Sequence, residues 1–341
     1  VYVVAEGNEG NGTDIWFNRS RFGNGEYWEE EYKIGDLTAD GNRHYSKPRI
    51  EYGADTQLHC TWMFFTIDHV LDEAVRYRRV TNLAGFGIDD WGDVVYLTPN
   101  SNNVDEYNPS LAAAHATDTV VLTYHSFDRG TGTLEEGKIW PSYDGGLTWT
   151  QSDTTSTPDV YWTHDIHTLP GGAFARVTAQ GWAHNTGLQR GTATNPIVWS
   201  DDQSLVDRDY QDGNTIPFGC IAAPDPTREH RLGVVWRKID NSGGPDSLFF
   251  DAEWRSDPGY PNRETGFPMP LAAGVISPPG ICEIDGDPEA EIVFGDADGD
   301  VHVVNHDGSP VPGWPRGVVE IPLDGPVAVG DLNGDGQNEV V

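Results

Sequence analysis

The last residues of the sequence carry oxygen-bearing side chains at alternate positions around a glycine turn. These residues are Asp331, Asn333, Asp335, Gln337 and Glu339, with Gly336 in the turn. Ca²⁺ takes about six to eight hard oxygen ligands, and alternate residues of a turn direct their oxygens to one point. We therefore expect a Ca²⁺ site with four side-chain ligands and the main-chain carbonyl of Gln337. The alternative is a polar hairpin turn, because Asp, Asn and Gly favour turns without any metal.

A second acidic stretch shows the same alternation. Its acidic residues are Glu283, Asp285, Asp287, Glu289 and Glu291. Pro288 lies within the stretch and weakens the argument for a tight turn, because proline fixes φ and has no N–H. A second Ca²⁺ site and an ordinary acidic turn are equal alternatives here. The nearby acidic run at 296–300 predicts a hairpin turn between two strands.

Residues 161–167 combine aromatic rings with groups that exchange protons near neutral pH. Tyr161 precedes a predicted strand and suits stacking on a sugar, whereas His164, Asp165 and His167 suit general acid–base catalysis. The alternative is structural, with the two histidines bonded to main-chain groups.

Arg49 and Arg176 lie in or near other predicted inner strands and would add positive charge to such a site. Surface arginines with no catalytic role are the alternative. The sequence contains no Gly-rich phosphate loop, no clear metalloprotease motif and no Ser or Cys nucleophile motif. Arg49, Arg176, Tyr161, His164 and His167 are therefore weak catalytic candidates.

The charge balance restricts the class of partner. The chain has 341 residues with 21 Lys+Arg and 54 Asp+Glu, a formal net charge of −33. This balance argues against nucleic acid or an anionic membrane as the partner. The sequence has no run of about 18 apolar residues, so no membrane span is predicted. The sequence has three cysteines, too few for a disulfide scaffold or a zinc-ligand cluster. A Cys220–Cys282 bridge is conceivable, but three buried free thiols are favoured.

The elements that must position these residues are short strands. The composition of 40 Gly, 23 Pro and 12 Trp suits many turns. One unit of three strands recurs at roughly 50–60 residues, which indicates a repeat architecture. In its first copy, strands are expected at Arg49 to Tyr52, Leu58 to Trp62 and Ala74 to Arg78. Alternating apolar and polar residues, with few helical stretches, predict an all-β fold.

One turn connects the repeat to a known pattern. Residues 142–149 read S-Y-D-G-G-L-T-W. We expect Asp144 to accept hydrogen bonds from turn N–H groups, the glycines to take positive φ, and Trp149 to pack between repeats. The stretch matches S-x-D-x-G-x-T-W and resembles the Asp-box (BNR) repeat of sialidase-like β-propellers. None of the arginines lies in a recognisable sialidase motif, so the resemblance implies the fold and not the activity.

The C-terminal part resembles another propeller repeat. Residues 280–304 and 325–341 are similar to FG-GAP (VCBS, integrin-like) units, and the resemblance supports the calcium loop at 331–339 position by position. It implies a single β-propeller over 1–341, with sialidase-like blades in 1–256 and FG-GAP-like blades in 271–341. Six blades are expected, with seven as the alternative. The last blade would be shared with residues 1–28, so that strands from both termini close the ring.

Function is less determined than fold. The first hypothesis is a non-catalytic, calcium-stabilised recognition or scaffold module, secreted or exposed at the cell surface, that binds a glycan or a protein. The second is a carbohydrate-active enzyme, a glycoside hydrolase or polysaccharide lyase, with its site at the mouth of the channel. The third is a subunit of an extracellular assembly. A fold alone does not choose among them.

Overall fold

A computed structural model describes most of the chain. The described residues are 2–9, 12–20, 28–35, 43–54, 57–66, 74–80, 90–97, 104–128, 130, 133–151, 160–180, 185–200, 203–204, 215–221, 233–238, 247–252, 266–267, 269–275, 279–287, 290–317, 327, 329–330 and 337–340. Within this part of the chain the regular structure is β, apart from short turns of 3-10 type, and the all-β prediction is confirmed. No helix in the described residues is long and apolar enough to cross a membrane.

The strands follow one another at short intervals. In chain order they are β1 (Tyr2–Glu9), β2 (Gly12–Arg19), β3 (Tyr32–Lys33), β4 (Arg43–Tyr52), β5 (Leu58–Thr66), β6 (Ala74–Val80), β7 (Val95–Tyr96), β8 (Val104–Ala113), β9 (Val120–Asp128), β10 (Thr133–Ser142), β11 (Val160–Thr168), β12 (Phe174–Gln180), β13 (Asn185–Gly191), β14 (Gln203–Ser204), β15 (Thr215–Ile221), β16 (Gly233–Lys238), β17 (Ser247–Ala252), β18 (Met269–Pro270), β19 (Gly280–Cys282), β20 (Glu291–Gly295), β21 (Asp300–Val304), β22 (Arg316–Gly317), β23 (Val329–Gly330) and β24 (Glu339–Val340). The three strands expected in the first repeat are β4, β5 and β6.

Consecutive strands form the sheets, as in a chain of meanders. The sheets are β1–β3, β4–β7, β8–β10, β11–β14, β15–β18, β19–β22 and β23–β24, and each strand lies beside its neighbour in sequence. Five sheets, from β4 to β22, are therefore built entirely from the interior of the chain. They correspond to five blades.

The terminal strands change the predicted blade count. A blade shared by both termini needs a ladder of main-chain hydrogen bonds between strands from the two ends. Among the described strands, β1–β3 and β23–β24 belong to separate sheets. The structure therefore supports five blades, whereas six were predicted with seven as the alternative. Closure of the ring by the termini is not confirmed.

The chain divides into two compact units, Val1–Phe174 with Gly191–Trp199, and Ala175–Arg190 with Ser200–Val341. The predicted domain boundaries at 256 and 271 stay predictions. In the first unit, alternation along β8 and β9 builds two cores at once. Leu111 and Leu122 pack with residues of β6, whereas Ala112 and Val121 pack with Ile166 of β11. Successive side chains of a strand point to opposite faces, so one apolar sheet is covered on both sides.

The second unit uses the same alternation in β20. Ile292 and Phe294 are buried with Leu248 of β17, whereas Val293 between them is buried with Val303. Apolar side chains thus cover both faces of this sheet as well.

The turn at 142–149 has the geometry that its sequence predicts. One carboxylate oxygen of Asp144 accepts the N–H groups of Leu147 (3.1 Å) and Thr148 (2.8 Å). Gly145 and Gly146 have φ of 68° and 82°. Trp149 packs edge-on against Tyr77 of the preceding sheet, with ring centroids 4.7 Å apart. The predicted packing of Trp149 between sheets is therefore confirmed.

The cysteines described by the structure are free thiols. Cys60 is buried and Cys282 is half-buried. The conceivable Cys220–Cys282 bridge is therefore absent. Burial raises the pKa of both thiols, which makes thiolate chemistry at neutral pH unfavourable.

Candidate functional site

Three edge strands lie side by side and run in the same direction. Each is the first strand of its sheet: β4, β8 and β11. Lys47 of β4 donates to the Asn108 side chain of β8. Ser110 Oγ of β8 lies 2.8 Å from Asp165 Oδ1 of β11, and three residues further along, Thr168 Oγ1 donates to the Ala113 carbonyl at 2.9 Å. Contacts that advance together along two strands require parallel strands.

Matching bulges precede the site on two of these strands. The pairing of β4 with β5 shifts between Ser46 and Arg49, and that of β8 with β9 shifts between Tyr107 and Ser110. Lys47 and Asn108 have positive φ, 51° and 53°. A bulge bends a strand and redirects the side chains that follow it. Arg49 and Ser110 are the first residues paired again after the two bulges.

Ser110, Asp165 and His167 form a chain of hydrogen bonds. Asp165 Oδ1 accepts from Ser110 Oγ, and Asp165 Oδ2 lies 2.7 Å from His167 Nε2. Burial opposes ionisation of Asp165, but the charge and hydrogen bond of His167, the charge of Arg49 and the Ser110 hydroxyl lower its pKa. Asp165 is therefore an ionised carboxylate held from two sides.

His167 is desolvated and yet open to solvent. Burial lowers its pKa, but the charge and hydrogen bond of Asp165 and the charge of Glu51 outweigh burial and raise the pKa to about 8. The side chain keeps 37% of its surface exposed. Water therefore still reaches the ring, although protein surrounds much of it.

Glu51 is electrostatically coupled to Asp165 and His167. Burial raises the pKa of its carboxyl to about 7, because the charges of His167 and Arg49 only partly offset burial and the charge of Asp165 opposes ionisation. Arg49 is half-buried, and its charge lowers the pKa of Asp165 and of Glu51. We call Arg49, Glu51, Ser110, Asp165 and His167 the edge-strand cluster.

The cluster is built for proton transfer and not for serine nucleophilic catalysis. A nucleophilic serine needs its hydroxyl bonded to the base that removes its proton. Ser110 donates to Asp165 instead of His167. Glu51 and His167, with pKa values of about 7 and about 8, exchange protons near neutral pH.

The catalytic candidates that the sequence suggested have different outcomes in the structure. It brings Arg49 and His167 into one cluster, together with Asp165. Arg176 is fully buried and its Nε donates to Gln189 Oε1 at 2.7 Å, which is a structural role and not that of a surface arginine. Tyr161 and His164 belong to β11, but their side chains lie outside the described residues.

Glu51 and Ser110 are the members of the edge-strand cluster that the sequence alone did not indicate. Pro48 and Pro109 were the available signal, because proline inside a strand marks an edge or a bulge. Each proline immediately precedes a cluster position, Arg49 in one strand and Ser110 in the next.

One predicted metal loop brings acidic groups together. Ligand oxygens of Glu283, Asp285 and Glu291 all lie within 4.8 Å of one another. Glu291 is fully buried, and its Oε2 accepts the Ile284 N–H at 2.6 Å, whereas Oε1 has no partner. Burial and the neighbouring carboxylates raise the pKa of Glu291 to about 7. A buried carboxylate oxygen without a partner is costly, and a divalent cation is the partner that three carboxylates fit.

The other predicted ligands have different outcomes. Asp287 is exposed and Glu289 lies outside the described residues. Of the loop at 331–339, Gln337 and Glu339 are described, whereas Asp331, Asn333 and Asp335 are not. Calcium binding there stays a prediction.

The acidic run at 296–300 is the hairpin turn that was expected. Asp296 Oδ1 accepts the N–H groups of Asp298 and Asp300, both at 3.0 Å. Its other oxygen lies 2.8 Å from His302 Nε2. The aspartate is thus used to close the turn.

No protein-family model matches the sequence, and no curated protein matches it. Solved structures are similar in fold. A protein of unknown function from Dyadobacter fermentans is 11% identical, with 78% of this chain and 80% of that chain covered at a TM-score of 0.54. The Hadza microbial sialidase Hz136 is 12% identical, with 94% of this chain and 69% of that chain covered at a TM-score of 0.52.

At such low identity these likenesses establish the fold alone. The chain is an all-β, single β-propeller. Membership of the Asp-box and FG-GAP families stays a prediction, because no family model matches.

Proposed function

We propose that the protein cleaves glycosidic bonds at the edge-strand cluster, with His167 as the general acid and Glu51 as the general base. The observation that carries the proposal is the hydrogen-bonded chain from Ser110 through Asp165 to His167, which faces Glu51 across three neighbouring sheets. The fold similarity to a sialidase makes a glycan a suitable substrate class.

The pKa values of Glu51 and His167 determine which group acts as the acid and which as the base. Between pH of about 7 and about 8, Glu51 is largely ionised while His167 is largely protonated. His167 then gives a proton to the leaving glycosidic oxygen, and Glu51 takes one from the attacking water or, in an elimination, from a sugar carbon. Asp165 keeps the imidazolium oriented and charged. The guanidinium of Arg49 supplies donors for substrate oxygens.

The cluster favours the enzymatic hypothesis over the non-catalytic module that sequence analysis placed first. A module that only binds a glycan has no need of two proton-exchanging groups, one of them oriented by a buried carboxylate. Strongly shifted pKa values in neighbouring groups, as in Glu51 and His167, are typical of catalytic sites. The role as a subunit of an extracellular assembly stays a prediction.

Turnover on polysaccharides tests the proposal. The purified chain is incubated with arabinan and polygalacturonate as neutral and anionic probes, and with a panel of oligosaccharides. New reducing ends report hydrolysis or elimination, and ultraviolet absorbance of unsaturated products identifies elimination. We expect His167→Ala and Glu51→Gln each to lower kcat by about 10²–10⁴-fold.

His306→Ala is the matched control, because His306 is an exposed histidine of the second unit and should leave turnover unchanged. The proposal is wrong if no probe is cleaved, or if His167→Ala cleaves as fast as the unchanged protein.

We also propose that Glu283, Asp285 and Glu291 hold a Ca²⁺ ion that stabilises the fold. The partnerless Oε1 of buried Glu291 supports this site specifically. A stabilising calcium site suits a protein that works outside the cell, where Ca²⁺ is abundant enough for weak sites. We therefore propose an extracellular or cell-surface location.

A further inference from the structure

Two exposed rings lie next to the edge-strand cluster. Tyr52 is the last residue of β4 and 40% of its surface is exposed. His115, two residues beyond the end of β8, is also exposed. Their ring centroids are 5.8 Å apart with an interplanar angle of 35°. We call the two rings the Tyr52–His115 pair.

The strand directions place this pair at the end of the cluster. Arg49 and Glu51 precede Tyr52 on β4, and Ser110 precedes His115 on the β8 segment. Because β4, β8 and β11 run in the same direction, the ends of all three strands meet at one edge. The Thr168 bond to Ala113 confirms this alignment for β8 and β11.

The loops that carry the two rings are fixed by main-chain hydrogen bonds. After Tyr52, the Gly53 N–H donates to the Gln57 carbonyl at 2.8 Å. Before His115, the Ala114 N–H donates to the Thr119 carbonyl at 2.9 Å. A Cβ at Gly53 would lie 2.5 Å from His59 Nε2, so the turn is packed tightly against the sheet. The pair is therefore preorganised, and binding orders little further chain.

We propose that the Tyr52–His115 pair is a glycan-binding subsite, which stacks on a sugar ring adjacent to the one cleaved at the cluster. A sugar presents an apolar C–H face and a rim of hydroxyls. An exposed tyrosine offers a flat apolar ring together with a hydroxyl that donates and accepts, and such amphipathic rings are typical of ligand sites. This inference rests on the proposed function, because the cluster defines the neighbouring sugar.

Affinity electrophoresis and kinetics together test the subsite. The full chain is run through native gels that contain arabinan or polygalacturonate, and KM and kcat are measured on any polysaccharide that is cleaved. We expect Tyr52→Ala to raise the dissociation constant and KM by about fivefold, with kcat nearly unchanged, because a stacking contact is lost. Tyr52→Phe should keep most of the affinity of the unchanged protein, because the ring remains. If only the hydroxyl contributed, Tyr52→Phe would lose as much affinity as Tyr52→Ala.

Trp28→Ala is the matched control, since Trp28 is also 40% exposed but lies outside β4 and β8, in an isolated bridge with Ser20. Its gel retardation and KM should equal those of the unchanged protein. Retardation by a polysaccharide that is lost in Tyr52→Ala supports the subsite even if no turnover is found, in which case only the proposed catalysis fails. Turnover or retardation that is unaffected by Tyr52→Ala, or no retardation and no cleavage of either probe, overturns the subsite.

Discussion

His167 Nε2 lies 2.7 Å from Asp165 Oδ2, and the other oxygen of that carboxylate accepts the hydroxyl of Ser110. A histidine that is desolvated by surrounding protein normally loses its proton more easily. Here the buried carboxylate reverses the effect and raises the pKa of His167 to about 8. The protonation state of His167 at neutral pH therefore depends mainly on its pairing with Asp165.

Replacing Asp165 by Asn should lower the pKa of His167 below the ordinary histidine value of about 6.5. The amide keeps the shape but removes the negative charge, so burial then determines the shift. Titration of the histidine ring protons by NMR measures this. An unchanged titration of His167 would show that Asp165 does not set its charge.

Thermal stability should fall as pH rises from about 6.5 to about 8. Folding raises the pKa of His167, so its contribution is complete below the unfolded value and is lost as pH passes the folded value of about 8. The effect should be no more than about 1 kcal/mol, because the partly exposed ring is screened by solvent. Calorimetry across this range measures it. His167→Gln should flatten the slope, and an equal slope in this variant would assign it to other groups.

His59 should produce the opposite dependence at acid pH. Burial lowers its pKa to about 4, Nδ1 lies 2.6 Å from the Tyr77 hydroxyl, and buried Nε2 has no partner. Stability is therefore complete above pH of about 6.5 and falls towards pH 4, by up to about 3 kcal/mol. Urea unfolding at several pH values measures the loss. His59→Gln, which does not titrate, should reduce this acid sensitivity, and a variant equally sensitive to acid would contradict the assignment.

Gly146→Ala should destabilise the fold more than Gly171→Ala. Both glycines have positive φ, 82° and 79°, so both variants carry a left-handed strain of about 1–2 kcal/mol. A Cβ at Gly146 would also lie 1.9 Å from the Tyr77 hydroxyl, whereas nothing lies within 4 Å of one at Gly171. Overpacking adds about 1–3 kcal/mol. Denaturant unfolding of the two variants gives the difference, and equal losses would mean that Tyr77 moves away freely.

Calcium should raise the unfolding temperature of the protein relative to EDTA. Ca²⁺ at about 100 times its dissociation constant adds about 2.7 kcal/mol to a folded state that alone binds it. Because Glu291 is a proposed ligand together with Glu283 and Asp285, Glu291→Gln should abolish this rise in the unfolding temperature. Asp298→Asn removes one exposed charge nearby and should keep the shift. A shift that survives in Glu291→Gln would place the cation elsewhere, with the loop at 331–339 as the next site to test.

The sequence by itself determined the features that depend on neighbouring residues. Asp144 bonds to groups three and four residues away, and Asp296 closes its hairpin by bonding to groups two and four residues away. Such turns are encoded locally, since side-chain geometry and glycine conformation suffice to form them. The alternation of apolar residues likewise predicted the strands around Trp62, and the all-β class with them.

The blade count and the edge-strand cluster were decided only by tertiary structure. Ser110 and Asp165 are 55 residues apart, and Glu51 belongs to yet another sheet. Which residues of separate sheets meet depends on how the sheets pack and on where each strand bulges, and neither is visible as a local pattern. Pro48 and Pro109 marked the bulges in the sequence, but only the packed strands showed that Arg49 and Ser110, which follow them, both act on Asp165. The terminal strands were expected in one shared blade, because a propeller closes its ring when strands from both termini share a blade. Pairing also requires the strands to meet edge to edge, and that condition is set by the three-dimensional arrangement of the whole chain.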